Sequence, residues 1–151
     1  MRACATLMAS SEPWITLGRT LEQATGIIRS PTREVYVGSI NGELAGFVVL
    51  LMSGILVGFV QSLVVKPELR NQGIGTALMN FAEERILKEL PNVFLCVSSF
   101  NEGAQRFYER LGSEVVGELK ELILRGHSEI LMRKTTGPFA EFKKEKIQDA
   151  G

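Results

Sequence analysis

Residues Val64 to Leu78 read V-V-K-P-E-L-R-N-Q-G-I-G-T-A-L, and their types and spacing suit the binding of an anion. An apolar strand stops at Pro67, a turn carries Arg70, and Gly73 and Gly75 open an amphipathic helix. The first turn of a helix has N–H groups without intrahelical acceptors, and the helix dipole adds partial positive charge there. Glycine has no Cβ, so a phosphate can approach the backbone closely. A second stretch, Asn101 to Gly112, reads N-E-G-A-Q-R-F-Y-E-R-L-G. Asn101 suits an N-cap, Gly112 suits the residue after the helix, and Tyr108 lies on the apolar stripe with Ala104, Phe107 and Leu111.

Two nucleotide-binding patterns fail on the residues. The Walker A loop needs a Lys after its last glycine, and Thr76 follows Gly75. The dinucleotide fingerprint needs a third glycine where Leu78 stands, and an acid at the end of the next strand, where Val97, Ser98 and Ser99 stand. The remaining run, Arg70-Asn71-Gln72-Gly73-Ile74-Gly75, resembles the R/Q-x-x-G-x-G/A signature of the GNAT superfamily of acyl-CoA-dependent N-acyltransferases. Leu63 to Pro67 is similar to the strand that precedes this loop in the family. Asn101 to Gly112 resembles its second signature, N-x-x-A-x-x-x-Y-x-x-x-G-F, with Ser113 in place of the usual aromatic residue. The resemblance runs from about Arg33 to Met132.

The resemblance implies a role for each motif. Backbone N–H groups of Asn71, Gln72, Gly73, Ile74, Gly75 and Thr76 would hold the pyrophosphate of CoA, with help from the Thr76 hydroxyl and the Arg70 side chain. Leu63, Val64 and Val65 would pair with the pantetheine arm like an added strand, and Val97, Ser98 and Ser99 would form the other lip. Asn101 would contact pantetheine, and Phe107 completes the cofactor-binding set. The implied activity is transfer of an acetyl group from acetyl-CoA, as cosubstrate, to a primary amine by direct attack. The acceptor would be a small-molecule amine or a protein amino group, and a homodimer is one option for assembly. The alternative is a non-catalytic acyl-CoA-binding or sensing module of the same fold.

Such chemistry needs a neutral amine, a donor to the thioester oxygen, and a proton for the departing thiolate. Tyr108 is the candidate for the last role, because a phenol stays protonated at neutral pH and can donate. The Val65 backbone N–H is the candidate oxyanion donor. The base is harder to find. Some family members carry a Glu on the strand before the loop, and here that position is Phe59. Gln61, Ser62, Cys96 and Ser98 fall near the expected cleft, and none is a strong base. Glu34 and Tyr36 on an earlier strand are further candidates. His127 sits in a glycine-flanked turn and reads as solvated. A water relay is the default, and no metal ligands are expected.

The elements that must position these residues follow from periodicity. Glu12 to Arg29 reads as a weak helix, interrupted by Gly18 and Gly26. Arg33–Ile40, Leu44–Met52 and Ile55–Val65 read as a three-stranded meander turning at Asn41-Gly42 and Ser53-Gly54. Gly73 to Leu90 reads as a helix with Ile74, Ala77, Leu78, Phe81, Ala82 and Ile86 on one face, and a Glu84–Lys88 pair outside. Val93–Val97 is a buried strand, and Glu114–Leu124 with Ser128–Arg133 is a final hairpin. The expected fold is mixed α/β: a mostly antiparallel sheet with one parallel βαβ crossover, helices on both faces, and, by the resemblance, a splay between the family's strands four and five. Residues 1–134 would form one domain of this type. Residues 135–151 would be a tail, either a short helix from Gly137-Pro138 bearing Phe139 and Phe142, or disordered.

Composition sets the outer bounds. The chain has 151 residues, enough for one domain with a hydrophobic core. Seventeen basic side chains balance seventeen acidic ones, which argues against nucleic acid and anionic membranes as partners. Cys4 and Cys96, far apart in apolar sequence, suggest reduced thiols and a cytoplasmic location. The apolar run from Ala3 to Ala9 is too short and broken for a signal peptide. Leu44 to Val65 has no charged residue and is long enough for a membrane helix. Its turn dipeptides and the lack of a flanking Lys/Arg cluster favour two buried strands instead.

Overall fold

The computed structural model describes residues 1–142. In chain order it contains α1 (Arg2–Ala9), α2 (Leu21–Arg29), β1 (Arg33–Ile40), β2 (Glu43–Leu51), β3 (Phe59–Val65), α3 (Ile74–Leu87), β4 (Asn92–Ser98), α4 (Glu102–Arg110), β5 (Glu114–Lys120) and β6 (Ser128–Thr135). The six strands form one sheet in the order β1-β2-β3-β4-β6-β5. Among the described residues only β3 and β4 pair in parallel, and α3 is the crossover between them. The expected mixed sheet is therefore present.

Local chemistry explains the boundaries. Asn41 and Gly42 both have positive φ, 53° and 80°, which gives the β1–β2 hairpin a turn with the same hand as the strand twist. Thr20 and Gln23 form a reciprocal capping box that starts α2. β2 is buried on both faces from Ala45 to Leu50, so its near-continuous apolar run belongs to a central strand. No helix of the described residues is long and apolar enough to cross a membrane.

Because β2 alternates, its two faces feed two cores. Phe47 and Val49 join Val64 under α1, α2 and Trp14. Val48 and Leu50 join Val60, Leu95, Val97 and Met132 under α3 and α4. Helices thus cover both faces. Each core excludes water from fully buried side chains, at about 1.5–3 kcal/mol for each large apolar group.

Several expectations need correction. The Glu12–Arg29 region is not one helix: residues 12–18 are turns, and only Leu21–Arg29 is helical. The Ala3–Ala9 run is helical, burying Cys4, Ala5, Leu7 and Met8, a spacing of helical period inside what looked like a broken apolar run. The third strand begins at Phe59 rather than Ile55. Gly54 and Gly58 have φ of 117° and 82°, Ile55 is wholly exposed, and a Cβ on Gly58 would lie 2.4 Å from the Asn92 carbonyl oxygen. On α3, Met79 is buried whereas Phe81 is 47% exposed, and the helix ends at Leu87. The Glu84–Lys88 pair is present at 3.8 Å. In the tail, Phe139–Glu141 forms a single 3-10 turn, and residues 143–151 lie outside the described residues.

The parallel pairing is short. Phe59 faces Phe94 and Val60 faces Leu95, and beyond them β3 and β4 separate. At that point Gln61 is an extra residue in β3, since Val49 pairs with Ser62 and Leu50 with Val60. Such a bulge bends and twists its strand. Arg33 Nε donates to Gln61 Oε1 at 2.6 Å and pins it. β3 stays paired to β2 and β4 to β6, so a notch opens between two strand edges.

Candidate active site

The loop after β3 delivers an array of free donors. A 3-10 turn, Pro67–Leu69, swings the chain away from the sheet, and Pro67 ends pairing because it has no N–H. Asn71 and Gly73 take left-handed φ of 62° and 82°. Gly73 is the N-cap of α3, and no side chain caps that helix. The first amide bonded into the helix is that of Ala77, onto the Gly73 carbonyl. The amides of Asn71 through Thr76 donate to no carbonyl of the described residues, at the positive end of a 14-residue helix. Opposite stands α4, whose N-cap Asn101 accepts from the Ala104 amide at 3.2 Å.

A cavity of about 960 Å³ joins these parts. Leu63, Val64 and Val65 form its β3 edge. Arg70, Asn71, Gly73, Gly75 and Thr76 form the loop wall. Asn101, Phe107 and Tyr108 form the α4 wall. Three expected residues lie elsewhere. Gln72 turns back so that Nε2 donates to the Glu68 carbonyl at 3.5 Å. Ile74 lines a separate apolar hollow with Tyr36 and Phe81. Ser98 lines a second cavity, of about 260 Å³, at the β4 side of the notch. Tyr108 and Asn101 line both cavities, so the two meet at the notch.

Tyr108 packs on the core under α3 and α4 and stacks edge-on against Phe107 at 5.1 Å between ring centres. Burial raises the pKa of its phenol, so it stays protonated at neutral pH. Cys96 lines the second cavity, and burial, with a smaller contribution from the Glu129 charge, pushes its thiol up to about 11. A thiol held protonated is a poor nucleophile.

The base candidates sort cleanly. Glu34 and Tyr36 line neither cavity and are engaged with each other: Tyr36 donates to Glu34, and Arg85 Nε and Nη2 each reach a Glu34 oxygen at 2.9 Å. That cluster ties α3 to β1. His127 lies edge-on to Phe100 at 5.1 Å and lines neither cavity. Gln61, Ser62, Cys96 and Ser98 do line the second cavity. The residues missed in the sequence are Glu12 and Trp14, which line both cavities, Phe100 and Arg110 in the first, and Arg19 and Glu129 in the second. Glu129 sits in a strand where Glu129 and Leu131 alternate with Ile130 and Met132, so its alternation alone reads as an outward position.

Comparison with known proteins gives the family of the chain. Residues 3–113 match the Acetyltransferase (GNAT) family, and the chain belongs to it. An uncharacterized N-acetyltransferase of Methanocaldococcus jannaschii is 37% identical over 86 residues, which span 52% of this chain and 38% of that protein. The match thus spans well under half of that relative. Among solved structures, aminoglycoside 6'-acetyltransferase type Ii superposes with a TM-score of 0.71 at 25% identity, covering 89% of this chain and 88% of that one. Nourseothricin acetyltransferase gives 0.62 at 29% identity, covering 71% and 67%. The ribosomal-protein-S18-alanine N-acetyltransferase of Escherichia coli shares the fold, with a TM-score of 0.67 at 15% identity, covering 89% and 96%.

Proposed function

We propose that this chain is an N-acetyltransferase that moves an acetyl group from acetyl-CoA to a primary amine by direct attack. One observation carries the reading: Asn71, Gly73, Gly75 and Thr76, whose amides are unbonded, line one continuous cavity with the open strand notch and the Tyr108 phenol. The amides of Asn71 through Thr76 suit a pyrophosphate, and Arg70 from the loop and Arg110 from α4 add positive charge to the cavity lining. The β3 edge from Leu63 to Val65 suits an extended pantetheine arm that uses the backbone groups β4 leaves unpaired. The Val65 amide supports the thioester oxygen as charge builds there. Tyr108 donates its proton to the leaving thiolate. Complexes of related folds agree with this cosubstrate, since an aminoglycoside 6'-N-acetyltransferase was solved with coenzyme A and a streptothricin acetyltransferase with acetyl coenzyme A. The second cavity, about 260 Å³ and open to solvent, suits a small amine or the end of a larger one.

The test is a panel of amines incubated with acetyl-CoA, with release of free thiol followed over time. Amine-dependent thiol release with matching N-acetylated product supports the reading. Tight CoA binding with no amine-dependent release overturns it, and assigns the chain instead to non-catalytic acyl-CoA binding, the role that Phe59 in place of a strand Glu favours.

A further inference from the structure

The second cavity contains polar groups that the protein itself leaves unsatisfied. Ser62 Oγ is buried with no hydrogen-bond partner among the described residues, and the buried Ser98 Oγ makes no well-formed bond there, its polar neighbour being the Glu129 carboxylate whose charge it favours. The two serines are 4% and 3% exposed, and both line the cavity. Glu129 is 6% exposed, lines the same cavity, and has no ion-pair partner within 4 Å among the described residues. Ser98 and Glu129 are direct partners in the antiparallel β4–β6 ladder, so their side chains share one sheet face. That face is opposite to Leu95, Val97 and Met132, which enter the core under α3 and α4.

Burying hydroxyls short of partners beside a carboxylate with no ion pair is costly in a protein that gains nothing from it. A bound group with several N–H donors would satisfy them together. A primary ammonium has three such donors and one positive charge, and the cavity opens onto Tyr108.

We infer that Glu129, with the hydroxyls of Ser62 and Ser98, holds the ammonium of the acceptor, and that the Glu129 carboxylate takes the proton that frees the amine to attack. The inference rests on the acetyltransferase reading and supplies the base which that reading lacks. The step balances. R–NH₃⁺ gives one proton to Glu129, and the amine nitrogen forms a bond to the thioester carbon. The carbon–sulfur bond breaks, and the thiolate takes the Tyr108 proton. The second nitrogen proton restores the Tyr108 phenol, and Glu129 releases its proton to solvent. The products are the amide, free CoA thiol and one proton.

Burial also raises the Glu129 pKa, an effect that the neighbouring Ser98 hydroxyl and His127 partly offset. A carboxyl so raised is a better proton acceptor for an ammonium than a solvated one. The charged and titratable groups around it are His127 from the β5–β6 turn, Cys96 from β4, Tyr108 from α4, and Glu12 and Arg19 from the segment before α2.

The experiment compares Glu129→Gln and Glu129→Asp with the wild type, using a strongly basic alkylamine and hydroxylamine, which is largely neutral at pH 7. CoA binding, measured by calorimetry, serves as the folding control. For the alkylamine, Glu129→Gln should lower kcat/KM about 10²-fold and remove the acid limb of its pH profile. In the wild type that limb should lie above the 4.5 of an ordinary glutamate, because the base must be ionised to work. Glu129→Asp should keep a limb at reduced rate, and the loss with hydroxylamine should be much smaller. Equal loss with both acceptors, or an unchanged pH profile in Glu129→Gln, overturns the inference while leaving acetyl transfer intact. If Glu129→Gln does not bind CoA, the wild-type profile decides, and absence of an acid limb overturns the inference. A wild type that transfers no acetyl group overturns the acetyltransferase reading itself.

Discussion

At the residue scale, burial sets the protonation of the groups that line the notch. Tyr108 is held in its protonated form by burial, as is the Cys96 thiol at about 11. Cys96 therefore offers no nucleophile for a covalent acetyl-enzyme at neutral pH, consistent with direct attack. Tyr108→Phe removes one oxygen from a residue whose ring packs on the core. It should lower turnover about 10²-fold and leave CoA affinity unchanged, the size of a lost general-acid contribution. Steady-state kinetics with calorimetric CoA binding checks this, and equal turnover would remove Tyr108 from the mechanism. Tyr108 was legible from its motif. Glu129 was not, because only its pairing with Ser98 across the ladder brings it to the notch.

At the element scale, the proposed cosubstrate site depends on how α3 begins. A Cβ at Gly75 would meet the Phe107 ring at 3.6 Å and the Val65 side chain at 3.7 Å, ordinary contact distances, so small side chains fit there. Gly75 is the second helical residue, where a negative charge favours the helix itself. Gly75→Glu should therefore fold at least as well as the wild type yet lose CoA binding, because its carboxylate opposes the pyrophosphate. Gly75→Ala should retain most of the affinity. Undiminished binding by Gly75→Glu, in the same titration, would reject the loop as the phosphate site. The element boundaries show where sequence patterns mislead. Phe81 fits the apolar stripe of α3 by spacing, but it packs at the edge against Tyr36, 4.8 Å between ring centres, instead of in the core. The Ile55–Gly58 stretch is as apolar as a strand, but two positive-φ glycines turn it into a connection.

At the scale of the whole molecule, the two cores clamp the sheet from both faces, and the notch is the one interruption between its central strands. A cosubstrate filling that notch would bridge the β1-β2-β3 half of the sheet to the β4-β6-β5 half. Ligand that binds only the folded state at 100 times its Kd adds about 2.7 kcal/mol. For a chain of this size, with about 2–4 °C per kcal/mol, Tm should rise by roughly 5–10 °C. Thermal unfolding with acetyl-CoA, against the same concentration of ATP, tests this. An equal rise with both nucleotides would argue against a site shaped for the pantetheine arm.

The glycine turn before α3, the Asn101 cap and the Tyr108 stripe were all determined locally, because turns, caps and helix faces are set by neighbours a few positions apart. So were the β1–β2 hairpin and the crossover. What only the tertiary structure decided depends on strands far apart in the chain. The bulge at Gln61, visible only once β2 and β3 are in register, parts β3 from β4. The β4–β6 register then sets Glu129 beside Ser98, inside a cavity that α4 closes with Tyr108. A periodic pattern tells which residues share a face of one strand. It does not tell which strand lies next door, and at this site the neighbouring strand supplies the carboxylate.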